Sequence, residues 1–275
     1  MILHRLFQTR FLQTFSIAIL TFNLSGYLTA VEYDRYYMEQ KRTYQNSKKD
    51  PETISRYFGF QRLSPDHLVR SLELYPNLKS LNLREDQIRD EGIIALASKL
   101  SSLPNLEHLV LDKTVMKDQG IEALAKALHN NHSIRNLELA NNFIGASGAR
   151  ALAKTLYNNQ TLKSLDLLGN SIGDDGAVAL AKALEINKTL RNLDISDNEI
   201  GYQGAKALAL ALKKNRSLHY LHIRSNQLTK KGMKKLQKRF NSSETLRGLD
   251  VRDNEVESKS LKEKIKDRLW DLLHK

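Results

Sequence analysis

The sequence predicts an α/β solenoid, a tandem stack of one strand-and-helix unit. Three observations predict it. Leu78, Leu106, Ile134, Leu162, Leu190, Leu218 and Leu246 lie 28 residues apart without a slip in register. A strict period of that length means one supersecondary unit copied in tandem. Within each copy apolar residues alternate, as in Leu165-Asp166-Leu167, the period of a strand buried on one face. An alanine- and leucine-rich run follows, Gly176 to Leu184, with its in-phase neighbours Gly148 to Leu156 and Gly204 to Leu212. These are strong helix formers with one apolar face, and small alanines let each helix lie close to the strands.

The elements fall in order along the chain. Residues 1–30 read as a targeting or anchor segment. Arg5 and Arg10 precede the apolar run Phe15–Leu20, and Leu28-Thr29-Ala30 supplies a small residue at an exit, the pattern of an export signal. Two other readings stay open: the uncharged stretch Phe11–Val31 as a membrane anchor, and Leu3, Phe7, Phe11 and Phe15 at helical spacing as a mitochondrial presequence. Residues 31–51, rich in tyrosine and charge, read as a linker. Residues 52–77 read as an N-terminal cap, with Ser64-Pro65-Asp66 starting a helix that carries Leu68 and Leu72. Residues 78–256 hold seven repeats. Residues 257–275 read as a C-terminal capping helix through Leu261, Ile265, Leu269 and Leu272, with Trp270 beside them.

Inside the repeat, Asp90, Asp118 and Asp174 share one phase, two residues before a recurrent glycine, and are expected to cap their helices. Gly92, Gly120, Gly148, Gly176, Gly204 and Gly232 imply close backbone approach at the turn into the helix; they never cluster as a phosphate loop does. The column Asp86, Thr114, Asn142, Asn170, Asn198, Asn226, Asn254 is expected to bond the turn after each strand, with looser turns where Asp86 and Thr114 stand. Asn131, Asn159, Asn187 and Asn215, each followed by x-Ser or x-Thr, have the form of glycosylation sequons. Their period argues instead for asparagine ending each helix in the left-handed conformation.

The phrase apolar-x-x-apolar-x-apolar-x-x-Asn-x-apolar, clearest at Leu162–Ile172 and Leu190–Ile200, resembles the leucine-rich-repeat superfamily. The 28-residue helical form resembles ribonuclease-inhibitor-like repeats, a type also seen in the sensor arms of NOD-like receptors and in the Ran GTPase-activating protein. The resemblance covers residues 78–256. It implies a horseshoe with a parallel β-sheet on the concave face and α-helices on the convex one, curved because helices need roughly 10 Å each and strands about 4.8 Å.

Composition agrees with a held partner rather than a reaction. Cysteine is absent, so no disulfide, thiol nucleophile or cysteine metal site exists. No catalytic set, cofactor loop or metal cluster is visible in the repeats. His219 and His222, three apart on a strand, point to opposite sides and make no metal pair.

The residue between the second and third apolar positions must face inward: Asn82, Val110, Glu138, Asp166, Asp194, His222, Asp250. Like charges on adjacent strands repel, so Glu138, Asp166 and Asp194 imply either a basic protein partner or local compensation by Arg135, Lys163 and Arg191. In the next column Ala140 and Leu168 are expected to form a small apolar patch, flanked by His108 and Asn141. Tyr220, His222, Arg224 and Arg252 form a second candidate group, since tyrosine and arginine favour binding hot spots.

Net charge is +12, and residues 229–275 alone carry 14 basic and 8 acidic side chains. Lys230, Lys231, Lys234, Lys235, Lys238 and Arg239 form the densest cluster, a solvated helix face or a contact for nucleic acid or anionic lipid. The reading is a monomeric, non-enzymatic scaffold that binds a protein through its concave face. The alternatives are a GTPase-activating or other regulatory protein, with Arg84 as the exposed arginine, and RNA or lipid binding through the basic end.

Overall fold

The computed structural model describes residues 53–55 and 64–254. The chain divides after Asp50 into two units, and the second, Pro51–Lys275, carries every described residue. Residues 1–30, read as a targeting segment, 31–51, read as a linker, and 257–275, read as a capping helix, lie outside the described residues.

Eight short strands form one parallel sheet in sequence order. They are β1 Thr53–Ser55, β2 Ser80–Asn82, β3 His108–Val110, β4 Asn136–Glu138, β5 Ser164–Asp166, β6 Asn192–Asp194, β7 Tyr220–His222 and β8 Gly248–Asp250. Seven helices alternate with them: α1 Pro65–Glu73, α2 Arg89–Lys99, α3 Asp118–His129, α4 Ala146–Asn158, α5 Gly173–Leu184, α6 Tyr202–Lys214 and α7 Lys230–Asn241. The register is constant, each middle residue facing its copy 28 positions on: Leu109, Leu137, Leu165, Leu193, Leu221, Leu249. The sheet also gains a strand within the region read as a cap, where Ile54 pairs with Leu81.

One apolar core runs the length of the stack between sheet and helices. It holds Leu81, Leu109, Leu137, Leu165, Leu193 and Leu221 from the strands and Leu96, Leu124, Leu152, Leu180 and Leu208 from the helices. Burying a leucine is worth about 2 kcal/mol, so each repeat is stable only with neighbours above and below.

The turn asparagines work as expected and reach further. Asn226 Nδ2 donates to Ile195 O of the preceding repeat at 3.0 Å, while its Oδ1 accepts Asn198 N and Ile200 N at 3.0 and 2.9 Å. Asn142, Asn170, Asn198 and Asn254 each donate to the same carbonyl position one repeat back. The column is a ladder of amides that staples adjacent turns. Thr114 is fully buried rather than loose, held by Asn142 Oδ1 on its N–H.

Two expectations are corrected. Asp90, Asp118 and Asp174 do not cap their own helices. Each Oδ1 accepts two N–H groups from the following repeat: Lys117 and Gly120, Gly145 and Gly148, Gly201 and Gly204. The carboxylate sits inside the first turn of its helix, so only the neighbouring helix presents open N–H groups to it. The glycine is therefore needed where two helix starts meet: a Cβ on Gly120 would lie 2.6 Å from Asp90 Oδ1.

The second correction concerns the helix ends. Asn131, Asn159, Asn187 and Asn215 are not left-handed; Asn159 (φ −70, ψ 124) and Asn215 (φ −66, ψ 136) are extended. Their amides form a second ladder instead. Asn159 Nδ2 donates to Leu128 O at 3.1 Å and its Oδ1 accepts Leu162 N at 2.8 Å. All four are buried, so a glycan on any of them is incompatible with this fold. A left-handed residue stands just before each position of the turn-asparagine column, at Glu85, Lys113, Asn141, Gly169, Asp197, Ser225 and Asp253. Among the described residues no helix is long and apolar enough to cross a membrane.

Candidate functional site

On β2 to β8 the first and third residues face away from the core, because side chains alternate and the middle leucine points inward. The exposed inner surface is thus two columns wide. The first runs Ser80, His108, Asn136, Ser164, Asn192, Tyr220, Gly248, and the second is the column read from sequence, from Asn82 to Asp250.

Glu138, Asp166 and Asp194 lie on neighbouring strands in direct register. Local compensation by basic residues is not what the structure shows. Arg135 pairs with Glu107 at 3.3 Å and Arg191 donates to Ser217 O at 2.9 Å, both at the entry to the strands. Among the described residues no basic side chain is ion-paired with Glu138, Asp166 or Asp194, and Lys163 takes no part in such a pair. The aspartates do carry a local duty. Asp166 Oδ1 accepts Leu168 N at 2.8 Å and Asp194 Oδ1 accepts Ser196 N at 2.9 Å, closing the turn at the strand end. Asn82 closes the first turn in the same way through Arg84 N, so an amide suffices and the charge is additional.

The charges crowd one another. Burial pushes the Asp166 carboxyl up to about 6, helped by Asp194, Asp112 and Glu138 and opposed by the Leu168 N–H. Glu138 is raised by burial and then by Asp112, with Arg84 and His108 acting against it. Asp112, in the column of Arg84 and Ala140, is a site residue that was not among the candidates. It is 4% exposed, its Oδ1 accepts Ala140 N at 2.8 Å, and burial raises its carboxyl too. Its signal was a lone carboxylate in a column that otherwise reads Arg84, Ala140, Leu168, Ser196, Arg224 and Arg252.

A shallow recess of about 280 Å³ opens between Asp166 and Asp194. Ser164, Asn192, Tyr220 and His222 complete its polar rim. Tyr220 is 42% exposed, and its ring lies over Gly248, where a Cβ would come within 2.7 Å of it. The recess therefore offers two carboxylates, two small polar groups and an aromatic wall.

The other sequence-read residues divide. His108 is exposed at the start of β3 and Leu168 is half-buried. Ala140 is buried, so the expected apolar patch reduces to Leu168. Arg252 binds Asp250 with two hydrogen bonds of 2.9 and 2.7 Å, which holds that carboxyl down at about 2. His222 Nδ1 stands 4.0 Å from the same carboxylate. The expected aromatic-basic group is thus largely neutralised by Asp250, with the exposed Arg224 beside it. Arg84 stands 4.0 Å from Asp112. Lys230, Lys231, Lys234, Lys235, Lys238 and Arg239 lie on α7, in the helical layer on the opposite side from the acids. Lys231 Nζ sits 5.4 Å from the centre of the Tyr202 ring. Among the described residues no three carboxylates or imidazoles converge as a metal site.

The Leucine Rich repeat family model matches residues 76–97, 130–153, 158–181, 187–209 and 214–236. A comparison with curated proteins finds no match. Among solved structures the chain is similar to the leiomodin-1 actin-binding site 2, at 20% identity and TM-score 0.47, covering 66% of this chain and 95% of that one. It is also similar to the tropomodulin C-terminal domain of Caenorhabditis elegans, at 14% identity and TM-score 0.40, covering 76% and 99%. With five matched copies, a constant 28-residue register and a parallel sheet backed by helices, the described residues form a leucine-rich-repeat α/β solenoid.

Proposed function

We propose that this chain is a non-enzymatic scaffold whose concave face holds a basic segment of a protein partner. The observation that carries it is the row Glu138, Asp166, Asp194, three carboxylates on adjacent strands without basic partners among the described residues. Like charges in register cost stability, and Asn82 does the same turn-closing work without a charge. A cation entering the recess would offset the repulsion and the burial that raise the Asp166 carboxyl. Tyr220 adds a ring face on which an arginine or lysine stem can lie. Overall charge points the other way: at +12 the molecule repels a basic ligand except where this column focuses a local field.

The test is affinity capture with the full chain beside Glu138→Lys/Asp166→Lys/Asp194→Lys, each checked for folding by circular dichroism. A protein held by the parent and lost by the folded variant supports concave recognition. Capture of the same proteins by both removes the column from function.

A further inference from the structure

The helical side of the solenoid has the opposite charge from the sheet side. Helices α3 to α7 carry thirteen lysines and arginines against four carboxylates. Two of those four, Asp118 and Asp174, are turned into the fold as bridging caps. The basic residues also keep the repeat's period. Lys126, Lys154, Lys182 and Lys238 are in-phase copies at 28-residue steps, all exposed, and Lys206 and Lys234 form a second exposed row one helical turn away. None of these six is ion-paired among the described residues, whereas Arg150 meets Asp175 and Lys214 meets Glu185.

The same face carries exposed apolar side chains on three successive helices or their ends. Tyr157 is 38% exposed on α4, Ile186 57% just beyond α5, and Leu210 51% on α6, where Leu210 occupies the lysine position of its repeat. Aliphatic side chains among lysines add nothing toward a phosphate backbone. They suit a bilayer interface, where short apolar groups enter the headgroup layer and lysine stems reach back to its phosphates.

We propose that the outer helical face, centred on Lys154, Lys182, Ile186 and Leu210, docks on an anionic membrane surface. Its lysine rows are complementary to an anionic leaflet, and that orientation leaves the acidic concave face directed away from the lipid. The proposal is independent of the partner held by the concave face and of residues 1–30.

The test is partition of the full chain onto vesicles of phosphatidylcholine with about one-third phosphatidylserine, in parallel with pure phosphatidylcholine. Each lysine near an anionic leaflet is worth about a fivefold change in partition. Lys154→Gln/Lys182→Gln/Lys238→Gln should therefore bind roughly 100-fold more weakly, with an unchanged circular dichroism spectrum. Binding of the parent should fall as salt shortens the screening length. Ile186→Ser/Leu210→Ser, which keeps every charge, should weaken partition several-fold. Equal partition of the parent and the lysine variant, or of the parent and the serine variant, overturns the proposal. So does a parent that ignores phosphatidylserine vesicles while binding a single-stranded RNA through the same lysines.

Discussion

Asp118 caps a helix that is not its own: its Oδ1 accepts Gly148 N at 3.0 Å and Gly145 N at 2.7 Å, both one repeat ahead. Asp90 and Asp174 do the same for α3 and α6. Where the preceding repeat has Ala146 instead, the next helix begins differently. Gly173 turns to φ 56 and its N–H goes to Asn198 O, while its in-phase copies Gly145 and Gly201 stay near φ −95 and −101. The aspartate thus couples repeats as well as capping a helix. Asp118→Ala should cost about 1–2 kcal/mol in urea unfolding and expose the Gly145 and Gly148 amides to hydrogen exchange. Unchanged protection at those two amides would contradict the coupling.

The amide ladder predicts a larger effect. Replacing Asn226 with alanine leaves Ile195 O, Asn198 N and Ile200 N without the side-chain bonds they now have. Each buried group left unsatisfied costs about 1–3 kcal/mol, so Asn226→Ala should destabilise by about 3 kcal/mol or more. Thr114→Asn should do the reverse, extending the ladder by one rung and raising the denaturation midpoint.

Gly169 takes the left-handed position with φ 68, and a Cβ there would lie 2.5 Å from Asn141 Oδ1. Strain and contact act together, so Gly169→Ala should cost about 1–2 kcal/mol. Thermal unfolding of the variant measures this.

How legible this molecule was depends on whether a feature is set by one residue's period or by its neighbours. Leu165 and Leu167 could be placed in the core from alternation alone, and the outcome holds from Leu81 to Leu221. The turn asparagines were legible for the same reason, since one amide and one turn explain each copy. The direction of the Asp118 bond was not legible. Phase locates the carboxylate at a helix start but cannot say which of two adjacent helix starts it meets. Asn159 misled because extended and left-handed asparagines both end helices, and only the inter-repeat bond to Leu128 O decides between them. The strand Thr53–Ser55 was hidden because it pairs 27 residues from its partner and lacks the leucine phrase. On the concave face the acidic row was visible, but the burial of Asp112 and the Arg252–Asp250 pair were not. Both depend on how deep the turn sits and which way a long side chain folds back.

Stability should fall as pH rises through the range set by Asp166. Its folded carboxyl titrates at about 6 against an ordinary value near 3.8. Between those values the native state holds more proton than the unfolded chain, so raising pH favours unfolding there. Asp166→Asn keeps the Leu168 N–H bond as Asn82 keeps that of Arg84, and removes the charge. The variant should be more stable than the parent at pH 7.5 and no more stable near pH 4, by urea unfolding at both.

Binding should follow the opposite course, and that opposition tests the central claim most directly. The measurement is titration of the parent with an arginine-rich peptide at pH 5 and pH 7.5, beside Asp166→Asn. Concave recognition predicts that the parent binds more tightly at pH 7.5, as Asp166 ionises, and that Asp166→Asn loses both affinity and its pH dependence. Equal affinity of parent and variant at pH 7.5 would contradict it.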